Sequence, residues 1–122
     1  CTGGEPLLQL DAAAVEAFHE RGLEVAVETN GTRRPPPGLD WICVSPKIGA
    51  ALVLDHGDEL KLVYPQEGGD PAQFDALNFQ HRFLQPMDGP RQAENMALAV
   101  AYCLAHPRWR LSVQTHKVLG IR

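Results

Sequence analysis

The chain has 122 residues, 44% of them hydrophobic and 21% charged, with a formal charge of −4. That is the composition of an ordinary soluble globular chain, one domain at most and large enough to bury a core. No apolar run reaches the length of a membrane span, and the negative balance argues against a general nucleic-acid binder, whose phosphate contacts need an excess of Lys and Arg.

The opening segment, CTGGEPLLQL, carries a turn before any strand. Gly3-Gly4 permits positive φ and lets a ligand approach the backbone closely. Glu5, held extended ahead of Pro6, offers its carboxylate to an amine. The same residues also read as an ordinary βα turn. Asp11 caps a predicted helix over 12–21, with Val15 and Phe18 on one face and Gly22 at its stop. LEVAVETNG reads as a strand, apolar through Leu23, Val25, Ala26 and Val27 and polar at its end. There Glu28 and Asn30 share a face suited to ribose hydroxyls or an amine, although Asn30-Gly31 is also a stock turn.

RRPPPG is a loop, since three prolines exclude regular structure. DWICVSPK is a second buried strand whose end offers the Ser45 hydroxyl and the Lys47 cation. Lys47 is able to hold a carboxylate or a phosphate, or simply to be solvated. ELKLVYP is a third strand, stopped by Pro65, and QEGGDPAQ leads to a short helix near Phe74 and Leu77. HRFLQPMDG is a fourth, ending in Gln85, Pro86, Met87 and Asp88; Met87 reads either as a contact for a flat ring or as core filler. The helix over 90–105 is the clearest, with Met96, Val100 and Leu104 at i, i+4 and i+8, and His106-Pro107 ends it. WRLSVQTHKVLGIR is expected as a final strand running to the C-terminus. It carries Gln114 and His116, the latter a base or a hydrogen-bonded structural histidine.

Strands alternating with helices predict an α/β fold of mainly parallel strands, covered by helices on at least one face and part of the other. Such sheets hold ligands beyond the carboxyl ends of their strands. Thr2 and Glu5, Glu28 and Asn30, Ser45 and Lys47, Gln85 and Asp88, and Gln114 and His116 are therefore expected to share one site. Cys1, Cys43 and Cys103 stand far apart with no Cys-x-x-Cys, so neither a disulfide framework nor a zinc site is written in the chain. Cys43 and Cys103 are expected as small buried hydrophobes.

In this order the segments CTGGEPLLQ, VETNGT, DWICVSPK, LKLVYP, FLQPMDG and SVQTHKVLGIR resemble the 7-carboxy-7-deazaguanine synthase family of radical S-adenosylmethionine enzymes. The resemblance runs from Cys1 to Arg122, whereas radical enzymes in general share only the Gly-Gly-Glu-Pro element. It implies a single partial radical S-adenosylmethionine core domain over 1–122, the C-terminal part of a partial (β/α) barrel. It also implies an activity: a 5'-deoxyadenosyl radical converts 6-carboxy-5,6,7,8-tetrahydropterin to 7-carboxy-7-deazaguanine with loss of ammonia.

Matched motif to motif, Thr2 would contact the pterin, and Gly4 beside Gly3 the S-adenosylmethionine. Ser45, Pro46 and Lys47, with Gln85, Pro86, Met87 and Asp88, would line that cofactor. Glu28 and Asn30 would serve ribose or substrate. The terminal carboxylate at Arg122 would accept paired N–H bonds from the guanidine-like edge of the pterin. The family's three cluster cysteines and its hydroxyl ligand for Mg²⁺ precede the glycine turn. Cys1 is thus not expected to bind the [4Fe-4S] cluster, and the chain is expected to begin within the barrel, to be inactive alone, and to show an open parallel edge and an unpaired apolar face. A homodimer, a flavodoxin reductant and a cytoplasmic setting are further expectations, with no nucleic-acid or membrane partner. The alternative is a non-catalytic α/β ligand- or protein-binding domain that keeps the strand-end polar groups without radical chemistry.

Overall fold

The computed structural model describes residues 1–121. Its sheet has five parallel strands in sequential order: β1 (Ala26–Thr29), β2 (Trp41–Val44), β3 (His56–Tyr64), β4 (Asn78–Pro86) and β5 (Arg110–Leu111). Three helices accompany it: α1 (Ala12–His19), α2 (Gln92–Ala105) and α3 (Thr115–Val118). The expected α/β class and parallel sheet are observed.

Asp11 does cap α1, accepting a hydrogen bond from Ala14 N at 2.8 Å with its own backbone extended. The helix buries Val15 and ends at His19, two residues before the expected last residue Arg21, while Phe18 stays exposed.

Sequential parallel strands joined by crossovers of one hand send every connection over the same face. The core lies there. Val44, Leu60, Leu62 and Leu84 are fully buried beneath Leu54 and Phe74 from the connections, Ala99 from α2, and Trp109. At the amino end of β4 the buried guanidinium of Arg82 donates to the carbonyls of Phe79 at 2.9 Å and Leu77 at 2.6 Å, tying down the loop before the strand. Burial, and then the charge of Arg108, lower the pKa of that guanidinium.

The opposite face is built differently from expectation. By strand alternation it carries Glu28, Cys43, Glu59, Lys61, His81 and Gln85, and the cavity above it is lined by strand residues with Cys1 and Thr2 rather than by a helix. The uncovered face is therefore mixed: Trp41, Val63 and Phe83 alternate onto the same side as these polar groups, so the expected apolar face is met only in part. The outer side of β1 is met by Cys1, whose N donates to Ala26 O at 2.6 Å and whose carbonyl accepts from Glu28 N at 2.9 Å.

Two further expectations are corrected. The Met96–Val100–Leu104 stripe is not the buried face of α2: Asn95 and Ala99 are buried, and Leu104 is 79% exposed. Asn95 fixes the rotation of the helix by donating its side-chain amide to Met87 O at 2.9 Å, and Ala99 joins the core cluster. The final strand is two residues long. Ser112 N makes one more link, to Leu84 O at 2.8 Å, and the chain then leaves the sheet and coils into α3.

Candidate functional site

The glycine turn and the end of β1 form one hydrogen-bonded unit. Gly3 and Gly4 adopt φ of 88° and 57°, and a β-carbon at either would meet nothing within 4 Å. Conformation, not room, is what requires glycine there. Glu5 is extended as expected, but its carboxylate is largely engaged. It accepts from Leu7 N at 3.1 Å, from Thr29 Oγ1 at 2.6 Å and from Asn30 N at 2.8 Å. With about four lone-pair sites on a carboxylate, roughly one remains for an incoming amine. Thr29, which did not stand out in the sequence, is the buried joint of this unit, since its hydroxyl also accepts from Gly31 N at 3.2 Å.

Asn30 follows β1 and caps its own turn, Oδ1 accepting from Thr32 N at 2.9 Å, so its amide N–H groups are what it has left to donate. Ser45 N donates to Thr29 O at 2.7 Å, which sets the end of β2 against the end of β1. Ser45 and Pro46 are buried there, and Lys47 is exposed.

A second unit forms at the ends of β4 and β5. Gln85 and Met87 are half-buried, Pro86 is buried and Asp88 is exposed. Met87 is held from both sides, its N donating to Tyr64 O at 2.8 Å and its carbonyl accepting from Asn95. Asp88 pairs with Lys117 of α3, and that hydrogen bond, with a further one from Gly89 N, holds its carboxyl below the usual range. Half-buried Gln114 and exposed His116 belong to the same α3 segment. Arg122 lies outside the described residues. The two units share the carboxyl edge of the sheet. At about 4.8 Å per strand, the ends of β1 and β4 stand about 14 Å apart.

Beneath this edge the polar face holds groups that sequence reasoning passed over. Lys61 Nζ is 2.7 Å from Glu28 Oε1, and the Cys43 thiol donates to Glu59 Oε1 at 3.4 Å. Burial foremost, then the charge of Glu59, pushes the Cys43 thiol up to about 12, so it stays protonated. Burial works against the charge of Lys61, but its bond to Glu28 and the nearby acidic groups outweigh that and raise its pKa. Trp41 stacks on His81 with ring centroids 5.7 Å apart and planes 16° from parallel. The signal was present in Glu59-Leu60-Lys61-Leu62, where polar and apolar residues alternate with period two and mark a polar face.

Thr2 lines two cavities. One, of about 250 Å³, is shared with Glu28, Cys43, Glu59 and Lys61. The other, of about 520 Å³, is shared with the glycine turn, Leu8, Leu10 and Phe18. Among the described residues no three His, Cys, Asp or Glu side chains are placed to hold a metal ion, and no helix is long and apolar enough to cross a membrane. Cys1 is exposed, Cys43 buried as expected, and Cys103 only partly so.

Fold and edge together define an α/β domain of sequential parallel β/α units with its polar groups gathered at the strand carboxyl ends. No protein-family model matches the chain. Individual proteins do. It is 64% identical over 121 residues, 99% of its length, to the 7-carboxy-7-deazaguanine synthase of Caulobacter vibrioides. It is 65% identical over 121 residues to that of Bradyrhizobium diazoefficiens, and 62% over 120 residues to that of Bordetella pertussis. The chain spans 58%, 58% and 57% of the lengths of these relatives. The resemblance carried by the motifs thus holds along the chain, which corresponds in sequence to a little over half of a 7-carboxy-7-deazaguanine synthase.

Proposed function

We propose that this chain forms the wall of a radical S-adenosylmethionine 7-carboxy-7-deazaguanine synthase that faces cofactor and pterin. The whole enzyme would take 6-carboxy-5,6,7,8-tetrahydropterin to 7-carboxy-7-deazaguanine with loss of ammonia. The observation that carries the reading is the joining of the glycine turn to the sheet: Glu5 seals it onto Thr29 and Asn30, and Ser45 is bonded to the same strand end.

The residues present fit S-adenosylmethionine. Gly3 and Gly4 leave an open backbone for the amino-acid portion, and the strand ends beside them supply a hydroxyl and a cation. When bound, S-adenosylmethionine would supply radical hydrogen abstraction. Lys47 is free to approach its carboxylate. Asp88, ionised beside Lys117, can accept from ribose hydroxyls, and Met87, fixed by Asn95 and Tyr64, offers a soft surface to the adenine. Thr2 and Glu28, which line one cavity, are the groups this reading assigns to the pterin. The same residues do not fit a [4Fe-4S] cluster or Mg²⁺, since no three metal-ligating side chains converge among those described. No step through either group is derived from this chain.

The test is a chimera in which this chain replaces the matched 58% of the Caulobacter relative. Purified anaerobically with its cluster reconstituted, it should form 7-carboxy-7-deazaguanine. A folded, cluster-loaded chimera that binds S-adenosylmethionine yet gives no product would overturn the synthase reading and leave the ligand-binding domain in its place.

A further inference from the structure

The ion pair between Lys61 and Glu28 is the least exposed of those among the described residues, with the lysine side chain 18% exposed. Its geometry is unusual for a stabilising device. Lys61 stands on β3 and Glu28 on β1, so their ion pair bridges the whole of β2, about 10 Å at the usual strand spacing, a span the two side chains share. It passes over the register position of Cys43, whose thiol is bonded to Glu59 and takes no part in the pair. An apolar side chain of similar length would cover the same surface without desolvating a charge, so stability alone gives no reason for a lysine here.

What the ammonium does supply is direction. It fixes one oxygen of Glu28, whose side chain otherwise has no hydrogen-bond partner among the described residues. Glu28 is also anchored through its backbone N to Cys1, the neighbour of Thr2, and all of these groups line the same cavity of about 250 Å³. Resting on the synthase reading above, we infer that Lys61 is a positioning residue, holding the Glu28 carboxylate in a fixed orientation toward whatever occupies that cavity.

The inference predicts coupling. In the active chimera, Lys61→Met should lower kcat/KM by about 10–100-fold, by analogy with the loss of the outer hydrogen-bond partner of a metal-ligating side chain. Lys61→Arg, which keeps the pair, should recover most of it. Made on top of Glu28→Gln, Lys61→Met should cost less than about twofold, because a residue that acts only through Glu28 has nothing left to act on. The ¹³C resonance of the Glu28 side-chain carboxyl should move in Lys61→Met. Lys61→Gln serves in the same cycle should Lys61→Met not fold.

An unmoved carboxyl resonance, an unchanged kcat/KM in folded Lys61→Met, or losses that multiply in the double variant would each overturn the positioning role while leaving the synthase standing. An inactive parent chimera overturns the reading of function and this inference with it.

Discussion

The two faces of the sheet are made from adjacent residues and held by different physics. On β3, Leu60 and Leu62 are fully buried beneath the connecting segments, while Glu59 and Lys61 project to the other side. The first face is stabilised by packing. The second is organised by pairs: Lys61 with Glu28, Cys43 with Glu59, Trp41 with His81. All-parallel sheets are ordinarily covered on both faces and read as continuous apolar runs. In β3 the alternation at 59–62 instead sends polar side chains to the uncovered face and leucines to the packed one. Stability and chemistry are separated across one thickness of backbone.

That separation is easiest to break on β3 itself. Leu62→Ala should destabilise the chain by about 2–5 kcal/mol, since a fully buried leucine leaves both lost transfer energy and a cavity. Lys61→Met, one residue away, should change stability by less than about 1 kcal/mol, because Glu28 stays partly hydrated when its partner goes. Urea unfolding midpoints compare them directly, and equal losses would end the distinction between the faces. Gly31→Ala probes the packed face where it meets the site edge. Gly31 has φ of +76°, and a β-carbon there would lie 2.6 Å from Leu52 Cδ1 and 2.7 Å from Val44 Cγ1. The combined strain should cost about 1–3 kcal/mol.

The polar face has its own signature in pH. The Cys43 thiol is raised to about 12 in the folded chain from an ordinary value near 9. The folded state therefore binds more protons than the unfolded one between those values. Its contribution is fully present below about pH 9 and is lost as pH climbs toward 12. Unfolding midpoints should fall between pH 8 and pH 10.5 more steeply in the native chain than in Cys43→Ala. Parallel slopes would show that the thiol is not buried against Glu59.

How much of this could be read from the sequence followed from how local each signal was. The Asp11 cap, the proline loop, the four apolar strands and their polar ends were legible because each depends on residues a few positions apart. The buried face of α2 was not. Of its fourteen residues only Glu94 is charged, so periodicity offers several apolar faces, and the choice was made by Asn95 reaching Met87 O and by Ala99 fitting the core. The end of β5 was not legible either. Leu111, Val113 and the apolar residues beyond suggest a long strand, but the sheet's last link is made at Ser112, and α3 is closed by Lys117 N to Gln114 O and by the Lys117–Asp88 pair. Both misses are tertiary decisions overriding a correct local pattern. The uncovered face is a different case: its alternation at 59–62 stood in the sequence, and only the pairing across three strands reveals that Lys61 belongs with Glu28.

The smallest effect is expected where the second unit of the carboxyl edge, at the ends of β4 and β5, relies on exposed charge. Lys117 lowers the pKa of Asp88, so their attraction is present above the ordinary aspartate value and is lost as pH falls through the lower folded value. At neutral pH Asp88→Asn removes it. Both side chains reach solvent, where salt screens the pair and the median exposed ion pair contributes little, so the unfolding midpoint should not move measurably. The local consequence should still be visible. Leu119 N donates to Thr115 O at 2.9 Å, and Lys117 N donates to Gln114 O at 2.9 Å, bonds that depend on α3 staying docked at the end of β4. Amide exchange at 117 and 119 should therefore quicken in Asp88→Asn while exchange in β3 and β4 is unchanged. If β3 slows or quickens with them, the edge and the core are one cooperative unit, and the contrast between the faces is confined to their chemistry.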